Sequence, residues 1–360
     1  MRAKLDQQRR AGVAQVVQSE SLAHAGMIPT PRLAELAALA DRHQWRVVLI
    51  GDPRQLPAIG RGGMFNHLAA TCDVIELDRV HRFREQWERD ASLGLRRGDP
   101  DVLDLYQAHG RLHEGSATDM TRAAINDWTT HRDRGDNVIM LAVSNETVAT
   151  LNTLAQQRRI VRGDIEQRFA VRGRDCQIHV GDEVVTRTND RHLRTDHGEM
   201  VRNRARWIVA SITPDGAIEA VGPDGRVTLP SSYVSTSVEL GYAQTVHGAQ
   251  GRTVDHALLV VDGHLDGRGL YVGMSRGARS NNAYVAVDGN RTGRDVLETA
   301  IHGDWADTPA IEVRAQLREN LEVRIEQALT PSTGRRSTAR RLRDVGRRPD
   351  PADRGLGLGL

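Results

Sequence analysis

The chain has 360 residues, 39% hydrophobic and 27% charged, with a formal net charge of +2. That composition suits a two-domain protein with a sizeable core, and no run approaches the roughly 18 apolar residues of a membrane span. The basic start "MRAKLDQQRRAGVAQVV" has no apolar stretch for a secretory signal, and Cys72 and Cys176 read as unrelated reduced thiols, so a cytoplasmic protein is expected.

In chain order, "TPRLAELAALADRHQW" predicts a helix. Thr30 is its expected N-cap, Pro31 its first position, and Leu33, Leu36, Leu39 and Ala40 share one face. The continuous apolar run Val47–Ile50 predicts a parallel strand covered on both sides. A polar helical stretch fills roughly 85–136. "NVIMLAVS" then predicts another buried strand, and "NETVATLNTLAQQRRI" a helix with Val148, Leu151, Leu154 and Ala155 inward. From about 165 the pattern shifts to short alternating strands punctuated by "PDG" at 214–216 and 223–225, the signature of hairpins in a small antiparallel barrel. "HALLVVDG" and "NNAYVAVDG" predict two more strands flanking a helix over "GLYVGMSRGA". The Arg/Pro/Gly-rich residues 331–360 read as a disordered tail, either a basic arm with affinity for nucleic acid or a solvated end.

The expected fold class is α/β. It consists of a RecA-like lobe, a parallel sheet flanked by helices, carrying an inserted antiparallel barrel and preceded by part of a first lobe. The corresponding divisions are 1–84 for the first-lobe part, 85–164 and 236–300 for the two parts of the second lobe, and 165–235 for the barrel. A helical segment follows over 301–330, then the tail.

Of the 49 Lys and Arg residues only Lys4 is a lysine, and no glycine precedes it. A G-x-x-x-x-G-K-[ST] phosphate loop is therefore absent from this sequence. The fourteen histidines show no metal-ligand spacing with Cys, Asp or Glu, so no metal site is expected. Trp207 and Tyr233 in the barrel segment could stack on DNA bases or pack in a core.

Four polar clusters carry the candidate chemistry: "GDPRQLPAIG" with Asp52 and Gln55, "ELDRVHRF" with Arg82, "GYAQTVHGAQGRTVD", and "LYVGMSRGARSN" with Arg276. Each is expected at the carboxyl end of a parallel strand, where open α/β sheets bind ligands. Taken in order, they resemble motifs III, V and VI of superfamily 1B DNA helicases, nearest the RecD-type motor and the helicase half of MobF-type conjugative relaxase-helicases (TrwC/TraA-like). "SNETVATLN" and "VGDEVV…VRNRARW…GRVTLP" match as well, the latter resembling that family's SH3-like insertion.

The resemblance implies ATP and Mg²⁺ as cofactors and single-stranded DNA as partner. It implies that Gln55 senses the γ-phosphate, that Asp52 shapes its loop, and that Arg82 and Arg276 stabilise the phosphoryl charge. Gln250 and Gly251 would face the nucleotide, and Thr245 and His247, with Trp207, would face DNA.

Departures accompany the match. The acidic pair of a Walker B strand falls on Ala23-His24. Gly248 stands where a basic residue is common, and Arg204 where a glycine is usual, a strained choice if φ is positive there. Lacking the lysine and the acids, the chain is expected not to hydrolyse ATP alone. Three readings stay open: half of a split 5′-to-3′ translocase completed by a separate chain with Walker A and B, a non-catalytic DNA- or partner-binding module, or an inactive remnant of a mobile-element helicase.

Overall fold

The computed structural model describes residues 22–58, 63–77 and 81–303. The expected helical segment 301–330, apart from its first residues, and the tail lie outside them, as do residues 1–21. Among the described residues no helix is long and apolar enough to cross a membrane.

The organising element is a five-stranded, all-parallel sheet, in the order β1 (Leu112–Gly115), β14 (Gly277–Ala286), β13 (Val254–Val261), β2 (Val138–Ala142) and β12 (Ala243–Thr245). Every residue of β2 is buried, and β13 and β14 are nearly so. That is why these strands read as unbroken apolar runs rather than alternations. One face is covered by α5 (Ala117–Asp133) and α6 (Asn145–Val161), with Trp128, Leu151 and Tyr284 in its core. The other packs on α3 (Gln86–Arg97), α4 (Val102–Ala108), α8 (Gly267–Gly273) and α9 (Gly293–His302) through Leu95, Leu103, Leu259 and Leu297. β1 is an addition to the predicted elements: four edge residues are too few to break the helical pattern around them.

Helix α6 starts as its sequence predicts, with the Ser144 side chain accepting from Thr147 N at 3.0 Å. Its inward face differs from expectation. Leu154 is exposed, while Asn152 and Gln156 turn inward. The reason is a polar seam: Asn152 Oδ1 accepts from Ala243 N at 2.8 Å, and Gln156 Nε2 donates to Asp182 Oδ2 at 2.7 Å.

The crossover from β2 to β12 holds the antiparallel strands. The main sheet runs β10 (Gly225–Leu229), β9 (Ile218–Gly222), β8 (Arg206–Ile212), β5 (Glu183–Thr186) and β11 (Val238–Leu240). Two-stranded ribbons, β3 (Glu166–Arg172) with β4 (Gln177–Val180) and β6 (Asp190–Arg194) with β7 (Met200–Val201), accompany it. Both "PDG" triplets lie at reversals, between β8 and β9 and between β9 and β10. Helix α7 (Ser231–Ser237) closes the return.

The region before α3 corrects the strongest strand expectation. Helix α1 (Thr30–His43) forms, with Pro29 rather than Thr30 in the N-cap position, and α2 (Met64–Thr71) follows. Val47–Ile50, however, is extended without a strand partner, and Val47, Val48 and Ile50 are exposed, Val48 at 60%. A second extended segment exposes Val74, Ile75 and Leu77, the latter two at 93% and 85%. The residue types are those of buried strands, but no described strand lies beside either segment to cover them.

Candidate functional site

The site is assembled where the loop after Ile50 docks on the parallel-sheet lobe. Leu56 anchors it, buried against the core that holds Leu95, Val246 and Ala249. Within the loop, Arg54 N donates to Asp52 Oδ1 at 3.0 Å and Gln55 N to Asp52 O at 3.1 Å, a local Asp-based turn. Outside it, Asp52 is held by both neighbouring helices. Arg96 Nε of α3 donates to Oδ1 at 3.2 Å, and Tyr271 OH of α8 donates to Oδ2 at 3.0 Å. Burial, then the Asp52 charge, pushes the Tyr271 hydroxyl up to about 12, so it stays a donor. Asp52 is thus a structural clamp that aims the next residues.

Gln55 is one of those residues. Its Oε1 accepts from Gln250 Nε2 at 3.3 Å, and the same Nε2 reaches Leu56 O at 3.4 Å. Gln250 Oε1 is buried and has no hydrogen-bond partner. Gly251, beside it, takes φ +88°, which lets the loop reverse toward β13.

Arg82 and Arg276 meet at the amino end of β14. Arg276 is 0% exposed; its Nε donates to Val272 O at 2.8 Å and its Nη2 to Ser275 Oγ at 2.8 Å. Arg82 Nε donates to Thr253 Oγ1 at 3.1 Å, and its Nη1 to Ser275 O. Among the described residues neither guanidinium has a carboxylate hydrogen-bonded to it. Burial first, and the Arg82 charge second, push Arg276 down to about 9, still charged at neutral pH. Burial lowers Arg82 too. Arg252, on the adjoining strand entry, is pushed down by burial to about 10, and its Nη1 lacks a partner. Cations desolvated next to each other, with carbonyls and hydroxyls for company, favour an arriving anion.

These positions correct the expectation about strand ends. Helix α8 runs back along β13, so Arg276 emerges at the amino end of β14. The Gly241–Asp255 cluster takes in all of β12 and the turn beyond its carboxyl end, then runs on to the amino end of β13. The loop of Asp52 follows no paired strand.

Thr245 ends β12 and His247 follows it, in the turn that Arg204 of the antiparallel region reaches. Thr245 Oγ1 accepts from Gly248 N at 3.1 Å and so closes the turn. Arg204 has φ +67° and sends Nη1 to His247 O at 2.7 Å. A Cβ on Gly248 would lie 3.8 Å from that Nη1, so a cation from the antiparallel strands occupies the space over Gly248. Burial pushes the His247 imidazole down, and its neighbour Arg204 pushes it further the same way. Trp207 is 3% exposed, its Nε1 3.4 Å from Thr186 Oγ1, inside the core of the antiparallel sheet. It cannot stack on a base there. Tyr233 is half-exposed and donates its OH to Thr188 O.

Several contributors were invisible to motif reading. Arg96 and Tyr271 clamp Asp52, although Tyr271 sits within "LYVGMSRG" and could have been flagged. Glu88 of α3 is fully buried and accepts from Asn281 N and Nδ2, both at 2.9 Å. Asn281 in turn accepts from Gly277 N at 2.7 Å, fixing the backbone beside Arg276.

Comparison with known proteins follows the same lines. The family model described as "AAA domain" matches residues 18–117. The chain is 31% identical over 273 residues to the probable conjugal transfer protein TraA of Sinorhizobium fredii, covering 74% of this chain and 24% of that protein. It is 29% identical over 238 residues to the RecBCD enzyme subunit RecD of Mycolicibacterium smegmatis, covering 62% and 41%. The chain is a homologue of the RecD/TraA-type superfamily 1B helicases. It spans well under half the length of these curated relatives. A Bacteroides Pif1 helicase solved with single-stranded DNA superposes with TM-score 0.49 at 16% identity, over 76% of this chain and 71% of that one.

Proposed function

We propose that this chain is the arginine-bearing part of a DNA translocase, acting on ATP whose triphosphate is gripped by another polypeptide segment carrying Walker A and B. The observation that carries it is the Arg82–Arg276 pair, desolvated without a hydrogen-bonded carboxylate and set beside the Gln55–Gln250 contact. These residues fit the terminal phosphate: guanidiniums neutralise charge on the transferring phosphoryl, and glutamines orient its oxygens or the attacking water. They do not fit Mg²⁺, since the adjacent carboxylate, Asp52, is already engaged by Arg96 and Tyr271.

On its own the chain should turn over no ATP. Mixed with a segment bearing the phosphate loop and acidic pair of a TraA relative, it should give DNA-stimulated hydrolysis. Arg276→Ala should lower that rate by about 10³ or more. ATP turnover by the chain alone, abolished by Arg276→Ala, would contradict the split-site reading.

Arg204, Thr245 and His247 support a second reading, single-stranded DNA binding independent of the nucleotide. Arg204 supplies the cation there, with the Thr245 and His247 turn packed against it. Fluorescence anisotropy with a labelled oligonucleotide should show binding that weakens steeply with salt. Absence of binding at low salt would remove this reading and leave the first intact.

A further inference from the structure

On the α5 face, at the amino edge of the parallel sheet, two side chains that are near neighbours in sequence meet a third from a distant strand. They are His131 near the end of α5, Asp136 just before β2, and His256 near the start of β13. Their ligand atoms all lie within 4.8 Å of one another. Asp136 Oδ2 is 3.5 Å from His131 Nδ1 and 3.4 Å from His256 Nε2. Both separations are long for charge-assisted hydrogen bonds, which run about 2.7–2.9 Å. They match the edge of a tetrahedron around an ion with ligand bonds of about 2.0–2.2 Å, an edge of roughly 3.3–3.6 Å. The two imidazole rings stack with centroids 3.8 Å apart.

We propose that His131, Asp136 and His256 form a binding site for a divalent transition-metal ion of the zinc or cobalt type. The surrounding groups are arranged as outer partners of such a site. His256 Nδ1 lies 2.7 Å from Ser280 Oγ; with that nitrogen donating, Nε2 presents its lone pair to Asp136. Arg279 Nη1 donates to Asp136 Oδ1 at 2.8 Å, leaving Oδ2 facing the rings. His131 Nδ1 is buried without a hydrogen-bond partner. Of the Asp136 oxygens, Arg279 satisfies only Oδ1. A bound ion would pin the end of α5 to the entry of β13, independently of the nucleotide and DNA readings.

The test is titration of the metal-free full chain with Zn²⁺ by calorimetry and with Co²⁺ by visible absorption. One equivalent should bind saturably, with the intense Co²⁺ bands of four-coordination and a rise in Tm. His131→Ala and His256→Ala should each weaken binding by about tenfold or more. Arg279→Gln keeps all three ligands and removes the bond that orients Asp136 through Oδ1, so it should weaken binding by less than either histidine variant. No saturable binding by the parent chain would overturn the site. So would unchanged affinity in both histidine variants.

Discussion

Arg204 holds a left-handed backbone that costs a β-carbon-bearing residue energy glycine does not spend, yet its side chain reaches across to His247 O. The two effects separate experimentally. Arg204→Gly should leave the fold as stable as the parent or stabilise it by up to about 1 kcal/mol, because φ +67° suits glycine. The same change should weaken oligonucleotide binding and lower the magnitude of its log–log salt slope by about one. Thermal unfolding read alongside anisotropy checks both; a destabilised variant with unchanged DNA affinity would make Arg204 a purely structural residue. Glu88 offers a pH test. Its carboxyl is raised by burial, against the opposing Asn281 hydrogen bonds. Its contribution to stability is full below the unfolded carboxyl's ordinary pKa and is lost as pH rises through the raised folded value. Glu88→Gln keeps an acceptor for Asn281 and removes the ionisation. Its Tm should exceed the parent's at neutral pH and converge with it near pH 4, in a series of melts across that range.

Among the elements, those with continuous apolar runs or paired turn signals were legible from sequence: β2, β13, β14, and the hairpins around both "PDG" triplets. Periodicity cannot say whether neighbours exist, so Val47–Ile50 read as buried although no described strand covers it. Polar seams were equally hidden, since they are completed by distant partners. The buried Asp182 takes Tyr242 OH on Oδ1, and His179 N and Gln156 Nε2 on Oδ2, each of the latter at 2.7 Å. It thereby joins α6, the approach to β12 and the antiparallel strands. The motif positions of the proposed phosphoryl site could be found by spacing; the clamp by Arg96 and Tyr271 needed the packing of α3 and α8. Asp182→Ala strands three buried donors, each costing about 1–3 kcal/mol. Chemical denaturation should show a loss of about 3 kcal/mol or more. Hydrogen exchange should rise first in β4 and β5; a loss below about 1 kcal/mol would mean the seam is hydrated and carries little of the coupling.

At the scale of the molecule, the parallel lobe is closed on both faces while the segment before it is not. Val47, Val48, Ile50, Val74, Ile75 and Leu77 all present exposed apolar side chains on two extended, unpaired segments. Fully burying one such side chain is worth about 1.5–3 kcal/mol. Six together supply on the order of 10 kcal/mol, comparable with the roughly 4–15 kcal/mol that association costs. Both segments are extended but paired with no described strand, so further β-structure would suit them as a complementary surface. In the split-site reading, that structure belongs to the segment carrying Walker A and B, and it would seat the phosphate loop over Gln55. Val48→Lys with Ile75→Lys tests this directly. Because neither side chain is buried in the chain itself, its thermal stability should stay within about 0.5 kcal/mol of the parent. Oligonucleotide affinity should hold or rise slightly with the added charge. Complemented ATPase activity should fall to background, because two charges placed in a strand-pairing face block docking. If complementation proceeds at the parental rate, the apolar stripe is not the docking face, and Arg82 and Arg276 must meet their phosphate from another side.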